Sequence, residues 1–168
     1  VSVGRRGFSP AVAEMALTLI LSALRRTPTH QARMAQGTER WVRRFPEEID
    51  PDERQLAGRR VGLVGFGAIG QRLAELLAPF ACDLAVHDPY APAAVLAQRG
   101  ARPVSLDELI DHAEIVVLCA ASNPGTRKLL DADRLERLAK GALLVNVARA
   151  ALVDGEALLD RLRRGDLY

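Results

Sequence analysis

Three glycines stand at the spacing G-x-G-x-x-G in the middle of the chain, at Gly65, Gly67 and Gly70. The residues before them suit a buried strand, and residues 71–77 suit an amphipathic helix. In that context the first glycine allows a tight turn, the second lets the backbone approach a pyrophosphate, and the third lets helix and strand pack closely. The free N–H groups of the first helical turn, at Ala68 and Ile69, then face the negative charge. The motif therefore predicts that the chain binds a dinucleotide.

A carboxylate follows at the offset that such a site requires. The short apolar run at residues 84–86 ends in His87 and Asp88. In dinucleotide-binding folds, an acid about 20 residues beyond the glycines accepts hydrogen bonds from the adenosine ribose hydroxyls. Asp88 would repel a ribose 2′-phosphate, and it therefore predicts NAD as the cofactor. The other interpretation is that the glycines form only a tight turn in a different α/β fold.

An arginine lies beyond the last predicted strand, in the run Asn146-Val147-Ala148-Arg149. This is the edge of the sheet at which a nicotinamide ring would lie. A guanidinium there can hold a substrate carboxylate in a bidentate fork and polarise the adjacent carbonyl. From its position alone, Arg149 is equally well a surface residue in a turn.

Strand patterns and helix patterns alternate along the chain, which predicts an α/β fold with a doubly wound parallel sheet of the Rossmann type. The predicted strands and helices must position the residues named above. Strands are predicted at residues 60–64, 83–87, 102–103, 115–119 and 143–147, and helices at residues 69–78, 92–99, 105–112, 131–137 and 156–164. Residues 58–168 form the predicted core, and residues 1–57 a helical and irregular lead-in. Gly165 to Tyr168 resemble a turn entering a sixth strand, so we expect a sheet that is truncated at its C-terminal side, with a bare edge.

The lead-in begins with an apolar stretch from Ala11 to Leu24, which predicts a helix buried nearly all round. It is either a core helix or one that packs on a second domain or subunit. Residues 27–57 are predicted to be polar and irregular, with Trp41 as their anchor. An acidic cluster follows the basic residues of this region, which favours a solvated surface over a nucleic-acid site. The basic residues are Arg25, Arg26, Arg33, Arg40, Arg43 and Arg44.

Composition narrows the classes of function. The 168 residues suffice for one domain, and the formal net charge of +2 is too small to indicate nucleic acid as a partner. The apolar helix is too short and too interrupted to predict a membrane span. Cys82 and Cys119 form no metal-binding spacing and read as buried thiols of a cytoplasmic protein, and no signal-peptide core precedes residue 10.

From about Ala11 onward, the chain resembles the NAD-binding domain of the D-isomer-specific 2-hydroxyacid dehydrogenases. The similar stretches are residues 11–24, 61–70, 86–90, 123–127, 141–149 and 152–154. The resemblance implies that Arg149 is the catalytic arginine, and that Ala120, Ala121, Val147 and Ala148 line the nicotinamide side with Thr126 close by. It also implies a small 2-hydroxy or 2-keto acid as substrate, a homodimer formed through the helix from Ala11 to Leu24, and a catalytic Glu and His beyond Tyr168, together with an absent substrate domain.

The chain departs from the family pattern at three places. Alanines stand at Ala81 and at Ala150-Ala151, where glycine is usual, and each could strain a backbone with positive φ. Ala120-Ala121 replaces an apolar-Pro pair. Two alternatives to an NAD-dependent dehydrogenase stay open: a non-catalytic, corepressor-like dinucleotide sensor, and an NADP-dependent glyoxylate or hydroxypyruvate reductase.

Overall fold

The computed structural model describes residues 7–38 and 53–168. One parallel sheet holds the strands β1 (Arg60–Val64), β2 (Asp83–His87), β3 (Ala101–Pro103), β4 (Ile115–Leu118) and β5 (Leu143–Asn146). Their order is β3-β2-β1-β4-β5, and every pairing is parallel. The doubly wound sheet predicted from the sequence is confirmed, with strand ends within one residue of the predicted ones.

Seven α-helices accompany the strands in the described part of the chain. They are α1 (Ser9–Leu24), α2 (Thr27–Ala35), α3 (Ala68–Leu77), α4 (Ala93–Ala97), α5 (Leu106–His112), α6 (Ala132–Arg137) and α7 (Gly155–Arg163). None of these helices is long and apolar enough to cross a membrane.

Two hydrophobic cores lie on opposite faces of the sheet, and β4 serves both. Ile115 and Val117 pack with α1, α3 and α4, whereas Val116 and Leu118 pack with α5 and α6. Successive side chains of a strand point to opposite faces, so a strand covered on both sides is apolar throughout. This explains the continuous apolar run from which the strand was predicted.

Helix α1 is buried on one side only, so the expectation of burial nearly all round is wrong. Ala13, Ala16 and Ile20 face the core, while Met15 is 55% and Leu19 is 42% exposed. One face of a sheet covers one face of a helix, which leaves the opposite apolar face in solvent.

Helix α2 was not predicted, because residues 27–57 were expected to be irregular. No side chain of α2 is buried, and it therefore shows no apolar periodicity in the sequence. Pro28 occupies its first turn, where proline suits a helix. Arg40, Trp41, Arg43 and Arg44 lie outside the described residues.

The far edge of β5 is not bare at its start. Leu167 forms a parallel bridge with Ala142. The amide of Tyr168 donates to the Ala142 carbonyl at 3.1 Å, and the amide of Leu144 donates to the Tyr168 carbonyl at 2.9 Å. The predicted entry into a sixth strand is therefore paired, and the expected exposed edge is wrong for this part of β5.

The two sites at which alanine replaces the usual glycine differ in their backbone conformation. Ala81 has φ of 49°, in the left-handed region, as the turn before β2 was expected to require. Ala150 and Ala151 lie in a 3₁₀ turn (Ala150–Leu152) without positive φ. The expected strain is therefore present at Ala81 and absent after Arg149.

Candidate functional site

Each glycine of the motif has its own steric environment. Gly65 has φ of +97°, and a Cβ there would lie 2.6 Å from the Ala120 amide nitrogen. A Cβ on Gly70 would lie 2.5 Å from the Gly65 carbonyl oxygen. A Cβ on Gly67 would meet no atom within 4 Å, so this position faces open space. The fold therefore requires glycine at Gly65 and Gly70. The space beside Gly67 is open, so a ligand can approach the backbone of the loop there.

Helix α3 begins directly at this open space. Gly67 is its N-cap residue, and no side chain caps its first turn in the described part of the chain. The amides of Ala68 and Ile69 lie in that turn, where backbone N–H groups lack partners within the helix and the helix dipole is positive. A phosphate can accept hydrogen bonds there.

Asp88 lies at the end of β2, beside the glycine loop. Its Oδ2 accepts a hydrogen bond of 2.7 Å from the Phe66 amide, and its Oδ1 accepts one of 2.9 Å from the Tyr90 amide. A further bond joins the Gly65 amide to the His87 carbonyl at 2.9 Å. An ionised carboxylate has about four acceptor positions, so lone pairs remain for ribose hydroxyls.

The loop after β4 is folded by the Thr126 side chain. Its Oγ1 donates to the Ala121 carbonyl at 2.8 Å and accepts from the Asn123 amide at 2.8 Å. Ala120 lies against Gly65, so the loops after β1 and β4 are in contact. These bonds place Ala120, Ala121 and Thr126 at the same edge of the sheet as the glycine loop.

Asn146 closes the loop that carries Arg149. Its side chain accepts from the Ala148 amide at 3.0 Å and donates to the Arg149 carbonyl at 3.0 Å. The Val147 amide donates to the Leu118 carbonyl at 3.2 Å, which holds the loop beside β4. The Arg149 side chain is exposed and donates to the Ala148 carbonyl at 2.9 Å, and no described carboxylate pairs with it. Its guanidinium is free to bind a ligand anion.

A clasp that the sequence analysis did not anticipate joins the loops after β4 and β5. The Lys128 amide donates to the Ala151 carbonyl at 2.8 Å, and Leu130 and Val153 form a parallel bridge. The Lys128 ammonium donates to Asp154 Oδ2 at 2.8 Å. Lys128 lowers the pKa of the Asp154 carboxyl, and the Ala157 amide adds to this effect. Nothing in the sequence pattern pairs two residues that are 26 positions apart.

The three histidines lie away from Arg149. The His112 carbonyl accepts from the Arg60 guanidinium at 2.6 Å, at the opposite edge of the sheet. His30 contacts Glu53, and His87 lies on β2, three strands from β5. Since neighbouring strands are about 4.8 Å apart, His87 is separated from β5 by about 14 Å across the sheet.

Comparison with known proteins identifies the family to which this arrangement belongs. The family model described as "D-isomer specific 2-hydroxyacid dehydrogenase, NAD binding domain" matches residues 17–168. The chain belongs to this family. NAD is thus the cofactor of the domain, in agreement with the prediction from the glycine motif and Asp88.

Several relatives give the range of this similarity. The D-3-phosphoglycerate dehydrogenase of Mycobacterium tuberculosis is 35% identical over 155 residues, covering 92% of this chain and 28% of the relative. The 2-ketogluconate reductase of Gluconobacter oxydans is 29% identical, covering 97% of this chain and 50% of the relative. Among solved structures, NAD-dependent formate dehydrogenase from Staphylococcus aureus in complex with NAD has a TM-score of 0.84 and 31% identity, covering 95% and 46% of the two chains. The chain spans half or less of the length of each.

The geometry around the glycine loop fits NAD. The open side of Gly67 and the uncapped start of α3 leave space and N–H donors of the kind that a pyrophosphate requires. The Asp88 carboxylate beside them has acceptor positions of the kind that ribose hydroxyls require. The fit rests on the shape and donors of the loop, independently of the family match.

Proposed function

We propose that this chain is the cofactor half of an NAD-dependent D-2-hydroxyacid dehydrogenase, an oxidoreductase acting on a CH–OH group. The reaction transfers a hydride between NAD(H) and a small 2-hydroxy or 2-keto acid. The supporting observation is Arg149, whose backbone carbonyl is bonded by Asn146 at the same edge as the glycine loop and whose exposed guanidinium pairs with no carboxylate of the described residues. Relatives named for phosphoglycerate and ketogluconate suggest substrates of this class.

The proposed roles divide along the edge of the sheet. Bound NAD supplies the hydride acceptor. Gly67 and the start of α3 hold the pyrophosphate, and Asp88 holds the adenosine ribose. Arg149 binds the substrate carboxylate in a bidentate fork, which fixes the carbon that exchanges the hydride. Ala120, Ala121, Val147, Ala148 and Thr126 line the nicotinamide side in this proposal. The family resemblance implies a histidine as the proton donor, and none of the described histidines lies beside Arg149.

The first test is a fluorescence titration of the purified chain with NADH and, separately, with NADPH. We expect saturable binding that prefers NADH, and no reduction of glyoxylate, hydroxypyruvate or pyruvate, because no histidine of the described residues lies beside Arg149 to supply the proton. Absence of NADH binding by a chain with a folded circular dichroism spectrum would contradict the proposed cofactor site. Sustained turnover would contradict the proposal that the reaction needs a histidine beside Arg149.

A second test addresses Arg149. Oxamate, a carboxylate analogue of pyruvate, is titrated into the complex of the chain with NADH. We expect Arg149→Gln to weaken oxamate binding about 10- to 100-fold, since hydrogen bonds to charged groups contribute about 1.5–3 kcal/mol. Arg163→Gln, on the exposed face of α7, is the matched control and should bind oxamate normally.

The corepressor-like sensor differs from the enzyme in its use of Arg149. A sensor requires NAD(H) binding but has no need of an anion site beside the nicotinamide. NADH binding with no oxamate binding at all would therefore favour the sensor. The NADP-dependent reductase differs through Asp88, whose charge opposes a 2′-phosphate.

We further propose that the protein is a homodimer formed through the helix from Ala11 to Leu24. Phe8, the residue before α1, is 76% exposed, and Met15 and Leu19 are exposed on the outer face of α1. Apolar stripes of this kind are typical of protein interfaces. Sedimentation velocity should give a dimer, and Met15→Glu should give a monomer with an unchanged circular dichroism spectrum. Leu162→Glu, at an exposed leucine of α7, should leave the dimer intact.

We also propose a reducing, cytoplasmic location. Cys82 and Cys119 are both free thiols. Unpaired thiols persist in reducing compartments. Fractionation of cells that express the natural protein tests this assignment.

A further inference from the structure

Arg127 is an exposed arginine in the loop after β4, directly after Thr126. No hydrogen bond or ion pair joins its guanidinium to any residue within 7–38 or 53–168. Its backbone is extended, with φ of −65° and ψ of 129°. The residues on either side are bonded within the loops, the Thr126 hydroxyl to the Ala121 carbonyl and the Lys128 amide to the Ala151 carbonyl, and the Arg127 side chain between them is left in solvent.

This lack of a partner sets Arg127 apart from the arginines of the helices. Most of those pair with carboxylates at ordinary distances, as in Arg72–Glu75 at 2.9 Å and Arg137–Asp111 at 2.7 Å. The neighbouring cation Lys128 is likewise paired, with Asp154 at 2.8 Å. Arg127 therefore carries a positive charge that the described part of the chain does not balance.

The clasp between the loops brings Arg127 close to Arg149. The Lys128 amide bonds to the Ala151 carbonyl, one residue from Arg127 and two from Arg149. Summing bond lengths along this path gives a separation of the two Cα atoms below about 18 Å. Both guanidiniums end flexible side chains, so they can converge on one small molecule.

We propose that Arg127 is a specificity residue that binds a second anionic group of the substrate, a phosphate or a second carboxylate. This inference rests on the proposed function, in which Arg149 holds the 2-carboxylate. A guanidinium forks onto either group through two parallel N–H donors. Since Arg127 has no ion pair with any described residue, an anion can bind it without leaving a described carboxylate uncompensated. The substrate class is thus a 2-hydroxy acid with two negative groups.

The test uses the chain saturated with NAD⁺, with guanidinium ¹⁵Nε signals of Arg127 and Arg149 assigned through single Arg→Lys variants. D-3-phosphoglycerate and D-malate carry a second anion, and D-glycerate does not. We expect D-3-phosphoglycerate to shift both signals and D-glycerate to shift only that of Arg149. A response of Arg127 to D-malate as well assigns the site to either anion, and a response to the phosphate alone assigns it to phosphate.

Affinities from the same titrations make the inference quantitative. Arg127→Gln should weaken D-3-phosphoglycerate binding about 10- to 100-fold and change D-glycerate binding less than about twofold. Arg163→Gln is again the control. If Arg127→Gln is silent while Arg149→Gln weakens both ligands, the inference is wrong and the proposed function stands. If neither arginine responds to any of the ligands, the proposed function fails, and the inference fails with it.

Discussion

Asp88 accepts a 2.7 Å hydrogen bond from the amide of Phe66, the residue between the first two glycines of the motif. The acid predicted for the ribose therefore also fixes the loop predicted for the pyrophosphate. One side chain thereby couples the two halves of the cofactor site. Its charge and its acceptor geometry can be separated by mutation.

Asp88→Asn keeps an acceptor for the Phe66 amide and removes the negative charge. NADH affinity should fall about tenfold, since charge-assisted hydrogen bonds to the ribose are lost, while NADPH binding should fall less or improve. Asp88→Ala should weaken NADH more strongly, by about 10- to 100-fold, and again more than NADPH. Parallel fluorescence titrations measure both. Equal losses for the two cofactors would remove Asp88 from the ribose.

Gly65→Ala and Gly67→Ala separate folding from binding within one motif. The Gly65 substitution combines positive φ with a clash at Ala120, so the free energy of unfolding should fall by about 2–5 kcal/mol. The Gly67 substitution meets no neighbour and should lower it by only about 1 kcal/mol, because alanine is a poorer N-cap residue than glycine. Its Cβ should nevertheless weaken NADH binding at least about tenfold, because it occupies the approach of the pyrophosphate. Urea unfolding and NADH titration of both variants check this, and a strongly destabilised Gly67→Ala protein would contradict it.

Ala81→Gly should stabilise the chain by about 0.5–1 kcal/mol. Ala81 adopts φ of 49°, which glycine adopts without steric cost. Ala150→Gly is the matched control, because Ala150 has no positive φ and should gain nothing or lose about 0.5 kcal/mol. The urea concentrations at the unfolding midpoints of the two variants measure this difference. A higher midpoint for Ala150→Gly than for Ala81→Gly would refute the strain at Ala81.

Glu114 should contribute to acid sensitivity. Burial raises the pKa of its carboxyl, but hydrogen bonds from the Arg60 amide and the Arg59 side chain outweigh burial and hold the pKa below 4.5. A group with a lowered pKa in the folded state stabilises the protein above its unfolded value, and this stabilisation is lost as pH falls through the folded value. Glu114→Gln should therefore cost about 1 kcal/mol at pH 7 and less at pH 3.

Urea unfolding at pH 7, 5, 4 and 3 measures this difference. Arg59→Gln removes the donor of the 2.8 Å bond to Glu114. Like Glu114→Gln, it should make the free energy of unfolding depend less on pH. Curves for Glu114→Gln that run parallel to the unsubstituted chain at all four pH values would show that the carboxylate is not responsible.

Both thiols should be inert in the folded chain. Burial raises the pKa of Cys119 to about 12 and raises the pKa of Cys82 as well. At pH 8 only about one Cys119 side chain in ten thousand is then a thiolate, the reactive form. Ellman's reagent should label Cys119 in Cys82→Ser only after denaturation. Rapid labelling of the native variant would contradict this burial.

The glycine spacing, the apolar runs and Asp88 together determined the fold class, the strand limits and the identity of the cofactor. They could do so because each depends on local chemistry: strand burial on both faces requires continuous apolar residues, and a close turn requires glycine. Arg149 was found by its place after a strand, since all parallel strands end at one edge. The roles of these site residues in binding and catalysis stay predictions.

Tertiary structure alone decided the rest. Helix α2 buries nothing and thus has no pattern, and the outer face of α1 is exposed because the sheet covers one side of it. The bond between Phe66 and Asp88 and the pairing of Lys128 with Asp154 join residues that are far apart in the chain. Arg127 pairs with no carboxylate among the described residues, which its place in the sequence does not reveal. Such contacts follow from how the loops fold against one another, and a side chain's type does not specify its partner when the partner is distant in sequence.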